Sequence, residues 1–203
     1  MNLTVVLMAL GVAAYFIKNI EQRQRITVLS RYLQKYQLEK WMEQLTSGYL
    51  RALGESDPER SEPIWRMLEG TEKLLAEQMS ELATAVNQMD AVQARASLLP
   101  VALPLASRLL PPATFDLREA IAIHARGFGA AVQNPQGLGR KQQAFMLSAE
   151  LFLFQHTCHW YCRSKAVASA RLLARHQTRY EQVLAAVSPA TREAYHQLVR
   201  GTR

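Results

Sequence analysis

Between Leu3 and Ile17 the sequence reads "LTVVLMALGVAAYFI", a stretch without charge in which Thr4 is the only clearly polar residue. No other segment restricts the fold as strongly. A membrane-spanning helix needs about 20 mostly apolar residues, with a lower limit near 17. The run reaches that limit when Met1 and Asn2 are counted with it. A secretory signal carries positive charge ahead of its apolar stretch. Here the side-chain charges follow it: Lys18, Arg23, Arg25, Arg31 and Lys35. Residues 1–18 are therefore expected to form an uncleaved transmembrane anchor. By the positive-inside rule, a bacterial host would then hold the rest of the chain in the cytoplasm. A buried or interfacial helix is one alternative. A signal cleaved after Ala14 is another, although its charges are in the wrong order. Gly11, Ala13 and Ala14 form a small-residue face of the kind that packs on another span.

The remainder, residues 19–203, reads as one all-α domain, a helical bundle. From Lys18 to Leu53 apolar residues recur at helical spacing, with one slip of register near Gln37, so the anchor is expected to run on into a helix over 19–53. "GESDPERSEP" is a polar turn. A helix over 62–96 follows, with Ser61 as cap and Pro63 in its first turn. Its apolar positions from Ile64 to Val92 approximate a heptad, and Glu69, Glu72, Glu77 and Glu81 line its outer side. Such a helix serves as a coiled-coil partner or as a core helix of the same domain.

Residues 97–113 break the pattern. Pro100, Pro104, Pro111 and Pro112 prevent a continuous helix in a stretch that is otherwise very apolar. A buried connector is the favoured reading, and a segment lying on the membrane surface is the alternative. Thr114 or Asp116 starts a helix over 114–132, and "QNPQGLG" is a loop. A long helical stretch over 140–187 comes next, with room for a bend. Ser188 and Pro189 open a short final helix over 188–200. No segment reads convincingly as a strand.

Charge is distributed in blocks. Residues 1–40 carry six basic and two acidic side chains, residues 41–98 five and ten, and residues 99–203 thirteen and five. Blocks of this kind dock on an anionic surface or on each other. Arg171, Arg175 and Arg179, spaced by four, read as one basic row beside an apolar face, which suits lipid headgroups, an acidic protein surface or the chain's own acidic helix. Nucleic acid is the weakest partner, because no aromatic residues interleave with the row.

Both cysteines fall in "HTCHWYC", from His156 to Cys162. On a helix, Cys158, His159 and Cys162 share one side. Zinc takes four ligands, and no second pair lies nearby in sequence. A disulfide over one helical turn would constrain little. The segment therefore reads first as a packed helix face, with metal ligation by Cys158, His159 and Cys162 as a weaker alternative. "GLGRK" at a helix start offers backbone amides and two cations to an anion, though a plain loop is the simpler use. Glu150, within "MLSAELFLF", must either reach a basic partner, with Arg118, Arg126 and Arg163 available, or titrate high. A buried ion pair is favoured.

No nucleophile with its base is apparent, so no enzyme activity and no cofactor are expected. The expectation is a membrane-anchored interaction or scaffold protein at the cytoplasmic face of a bacterial inner membrane. Its partners would be the membrane, through the first helix, and another protein or a second copy. Arg171, Arg175, Arg179, Glu69 and Glu72 are its candidate docking residues. A helical sensor binding a metal or ligand near Cys158, His159 and Cys162 is the second reading.

Overall fold

The computed structural model describes residues 2–200; Met1, counted in the expected anchor, lies outside the described residues. The fold is all-α, with ten α-helices and one pair of very short strands among the described residues. The first helix, α1 (Leu3–Leu33), runs unbroken for 31 residues, about 46 Å at 1.5 Å per residue. Its most apolar 18-residue window has a mean hydropathy of 1.8, and none of that window is buried. Leu3, Leu7, Leu10 and Phe16 all project freely. One helix is thus long and apolar enough to cross a membrane. Only its second half joins the bundle, through Gln22 and Leu29 with Val28, Tyr32 and Leu33 packed alongside.

The expected helix over 19–53 ends at Leu33 and restarts as α2 (Leu38–Gly54). The register slip near Gln37 is a turn: Tyr36 N–H donates to the Leu33 carbonyl, and Gln37 N–H to Gln78 Oε1 at 3.2 Å. Leu38, Met42, Leu45, Tyr49 and Ala52 form the buried stripe of α2, and Leu33 is five residues ahead of it. Five residues do not fit a 3.6-residue period, so the chain turns to bring both stripes inward.

The second long helix, α3 (Pro58–Val86), starts before residue 62 and stops before residue 96. Asp57, not Ser61, caps it, accepting from Glu59 N–H at 3.0 Å, while Pro63 lies inside. Its buried positions are Leu68, Thr71, Glu72, Leu75, Met79, Leu82 and Val86. Leu68, Leu75 and Leu82 repeat every seven residues and Glu72, Met79 and Val86 do the same four residues on, so the seven-residue spacing is kept and the stripe is buried within the bundle as a core helix. At its crossing with α2, a Cβ on Gly48 would collide with Cδ2 of the buried Leu68, so the bare backbone at Gly48 lets Leu68 pack there.

After a single-turn α4 (Ala91–Ala94), β1 (Arg95–Ser97) pairs antiparallel with β2 (Thr114–Asp116), Ala96 opposite Phe115. Each strand has three residues with only the middle one buried. That is too short for alternation to register in the sequence. Between them, the connector holds α5 (Ala106–Leu109) and a 3₁₀ turn (Pro111–Ala113). It is fastened at Ser97, whose carbonyl accepts from Trp160 Nε1 at 2.9 Å, and at Pro100, whose carbonyl accepts from Ala166 N–H at 2.9 Å. It is not buried throughout: Ala106 and Ser107 face inward, whereas Val101, Leu103, Leu109 and Leu110 are exposed.

Asp116 caps α6 (Leu117–Gln133), as one of the two expected caps, and accepts from Arg118 N–H at 2.8 Å. The stretch over 140–187 divides into α7 (Arg140–Cys162), α8 (Lys165–His176) and α9 (Tyr180–Ala186). Ser164 caps α8, and Gln177 ends it with φ 52°. Neither Pro nor Gly marks these breaks; polar caps and a left-handed residue produce them. Ser188 caps α10 (Pro189–Arg200) as expected, its Oγ accepting from Thr191 N–H at 3.1 Å. The centre of the bundle is α7. It packs with α1, α2 and α6 in one cluster and with α8 and α9 in the other, while α10 packs mainly on α6.

Candidate functional site

The carboxyl-terminal half of α7 supplies one wall of an open groove of about 700 Å³. Phe154, Cys158 and Cys162 face across it to Ile26, Leu29 and Leu33 of α1 and to Leu38 and Met42 of α2. Arg163, Arg171, Arg175 and Lys40 line it as cations, with Glu39 as a carboxylate among them. A smaller depression of about 510 Å³ continues from it, sharing Glu39, His159, Arg171 and Arg175 and ending at His176. The groove exists because α1 and α2 part at the turn near Gln37, while α8 leaves α7 at Ser164.

The cations of this rim are largely uncommitted. Among the described residues, neither Arg171 nor Arg175 has a carboxylate partner at salt-bridge distance. Arg171 Nη1 donates to His159 Nδ1 at 3.3 Å. Burial, followed by the charges of Arg171 and Arg175, holds His159 below its ordinary pKa, so its ring is neutral near pH 7. Arg179, expected to extend the row, stands at the start of α9 beyond the break at Gln177 and does not line the groove.

Cys158, His159 and Cys162 do lie together on this wall. Both cysteines are free thiols. Burial pushes the Cys158 thiol well up and that of Cys162 up to about 11, so neither is a thiolate at neutral pH. Among the described residues no three His, Cys, Asp or Glu side chains converge as metal ligands.

The acidic candidates are placed differently from one another. Glu69 is exposed, 3.8 Å from Arg140, which also pairs with Glu62. Arg140 of "GLGRK" is thereby engaged. Glu72 is buried and accepts from the Tyr49 hydroxyl at 2.7 Å. Burial raises its pKa. It belongs to the core and presents no docking surface.

Among the described residues, Glu150 has no ion-pair partner. Arg118 is taken by Asp116 at 2.6 Å, Arg163 donates to Gln22 Oε1 at 2.6 Å, and Arg126 faces solvent. Instead Glu150 Oε1 accepts from Ser188 N–H at 3.1 Å, just ahead of α10. Burial pushes its pKa up to about 7, partly offset by Thr191 and Ser188. Beside it, Thr157 donates to the Leu153 carbonyl and lies 2.8 Å from both His124 Nε2 and the Tyr195 hydroxyl. A hydroxyl has a single proton, so His124 and Tyr195 act as the donors there. Burial holds His124 and His156 down to about 3. This cluster is closed off from solvent and ties α6, α7 and α10 together.

A second open groove of about 540 Å³ lies on the other side of α1, lined by Arg23, Arg25, Arg31, Arg95 and Arg108 with Glu21. The sequence shows these arginines only as scattered charges, because the groove is formed where β1 and the connector meet α1. Comparison of the chain with protein-family models, curated proteins and solved structures returns no match.

Proposed function

We propose that this chain is a membrane-anchored interaction protein at the cytoplasmic face of a bacterial inner membrane, and that its groove receives an acidic amphipathic helix of a partner protein. The observation that carries this reading is the continuity of α1. The same unbroken helix holds the exposed apolar window and, at Ile26, Leu29 and Leu33, one wall of the groove. These residues follow Ile20 by about 9–20 Å of helix axis. The anchor therefore keeps the groove within a fixed distance of the bilayer and raises its effective concentration toward membrane partners. The charges that follow the apolar run agree with a cytoplasmic domain.

An amphipathic helix fits the groove by chemistry. Apolar side chains at i, i+3, i+4 and i+7 would enter between α1 and α7, and carboxylates would meet Arg171 and Arg175. The groove's volume also falls in the range of small-molecule sites, which keeps a sensor of an amphiphilic ligand as the second reading.

The test begins with membrane fractionation and an alkaline wash of the full chain and of a chain lacking residues 3–18. Retention of the first and release of the second is the expected result; release of both overturns the anchor. A photo-crosslinking residue at Leu33 then identifies what occupies the groove in membranes. Crosslinks to a protein that vanish in Arg171→Glu, Arg175→Glu support the reading. Crosslinks only to a second copy, or none, overturn the hetero-partner reading.

A further inference from the structure

The arginine-lined groove beside α1 and the exposed connector point to a second contact with the bilayer. In the connector, Val101, Leu103, Leu109 and Leu110 are 56%, 53%, 71% and 47% exposed. They are not remote from the anchor. Leu105 N–H donates to Glu21 Oε2 at 3.0 Å, Arg25 Nη2 donates to Ser107 Oγ at 2.8 Å, and Lys18 lines a crevice with Val101 and Leu103. Leu105 itself holds φ 58°, which bends the connector at this junction. The apolar side chains thus lie at the level where the exposed window of α1 ends. Monomeric soluble proteins seldom expose such a patch without a use for it.

The adjacent groove supplies the complementary chemistry. Five arginines face it against one carboxylate, Glu21. Arg25 is committed to Ser107, Tyr161 and Glu21. Arg23, Arg31, Arg95 and Arg108 have no salt-bridge partner among the described residues. Arg23 and Arg31 are about 12 Å apart along α1, so the row begins within the headgroup layer of about 5–8 Å and extends beyond it. Guanidinium groups match phosphate oxygens in bidentate fashion, and basic pockets at the cytoplasmic ends of spans suit anionic headgroups.

We propose that this groove binds the phosphate of an anionic phospholipid in the same leaflet that α1 enters, while Val101, Leu103, Leu109 and Leu110 insert at the bilayer interface. The domain then rests against the membrane at two places, the span and the connector. This inference rests on the reading of α1 as a span.

The test uses the full chain in nanodiscs of phosphatidylcholine alone and of a phosphatidylcholine–phosphatidylglycerol mixture, read by hydrogen exchange. Peptides covering residues 92–112 are expected to exchange several-fold more slowly in the mixture, with α7 unchanged. Arg23→Gln, Arg31→Gln, Arg95→Gln, Arg108→Gln is expected to abolish that difference. Should this variant expose α7 to exchange, the pair Leu109→Ser, Leu110→Ser serves instead and is expected to lose protection of the connector. Equal exchange of the unaltered chain in both discs overturns the proposal. Protection reproduced by inorganic phosphate with phosphatidylcholine alone overturns the lipid as source. A chain that does not remain in either disc overturns the anchor and the proposal together, which separates that failure from the loss of lipid selectivity alone.

Discussion

Glu150 and Arg171 lie on neighbouring helices of one bundle and meet opposite conditions. Glu150 is fully buried, without a cation partner among the described residues, and burial raises its pKa to about 7. Arg171 is exposed on the groove rim and lacks a carboxylate partner among the described residues. The interior has been made nearly charge-free: His124 and His156 are held neutral, and Glu72 is bonded to a tyrosine. The surface keeps its cations in groups. Interior polar groups here serve to fix helix positions, and the grouped surface cations are free to serve something outside the chain. Mutations in the two regions should therefore separate stability from binding.

The largest expected effect is in the core. Trp160 packs edge-on to Phe115 at 5.0 Å and donates to the Ser97 carbonyl. Trp160→Ala should lower unfolding free energy by about 3–5 kcal/mol, measured by denaturation of the detergent-solubilised chain. Retained stability would mean that the connector is not held by this residue.

Glu150→Gln comes next and carries a pH signature. A carboxyl whose folded pKa is raised binds more protons folded than unfolded, so its contribution to stability is full at acid pH and is lost as pH rises through about 7. The unaltered chain should therefore lose about 3 kcal/mol relative to Glu150→Gln between pH 4 and pH 8. His124 and His156 impose the opposite slope: their folded values near 3 make stability fall as pH drops below about 6.5. That slope is common to both chains and cancels in the comparison. Parallel pH profiles would show that Glu150 is not buried as a lone carboxyl.

Gly127→Ala should cost about 1–3 kcal/mol, because a Cβ there would collide with Thr191 Oγ1 and lie 2.8 Å from Glu150 Oε2. A melting temperature equal to that of the parent would show that α6 and α10 can move apart. The smallest effect on stability belongs to Arg171→Gln, Arg175→Gln, within about 0.5 kcal/mol, with loss of partner crosslinking from Leu33. A clear drop in stability would place these arginines with the interior set and remove the contrast.

What the sequence disclosed follows from how local each feature is. Hydropathy is local, and the long exposed helix was legible from it. Helix caps are local, so Asp116 and Ser188 could be read; Asp57 lost to Ser61 because Pro58 and Pro63 are both plausible first-turn prolines. The breaks at Ser164 and Gln177 carry no Pro or Gly; a polar cap and a left-handed residue make them, and both residue types also occur within helices. The groove joins Leu29 to Arg171, and the basic groove joins Arg31 to Arg108, which are long separations that no spacing rule reports. Glu150 was legible as an exceptional position. Its partners were not, since a backbone N–H, that of Ser188, took the place of an arginine.

The unbroken α1 has a mechanical consequence. It contains no proline, and no hinge separates its apolar half from the half that walls the groove. A rod of this kind acts as a lever. Spanning helices tilt by about 20° on average, and a tilt of that size swings a point about 20 Å beyond the membrane sideways by about 7 Å. On the reading of α1 as a span, a thinner bilayer that tilts it would shift Leu33 and the turn at Gln37 with it, so the groove's position would report membrane thickness.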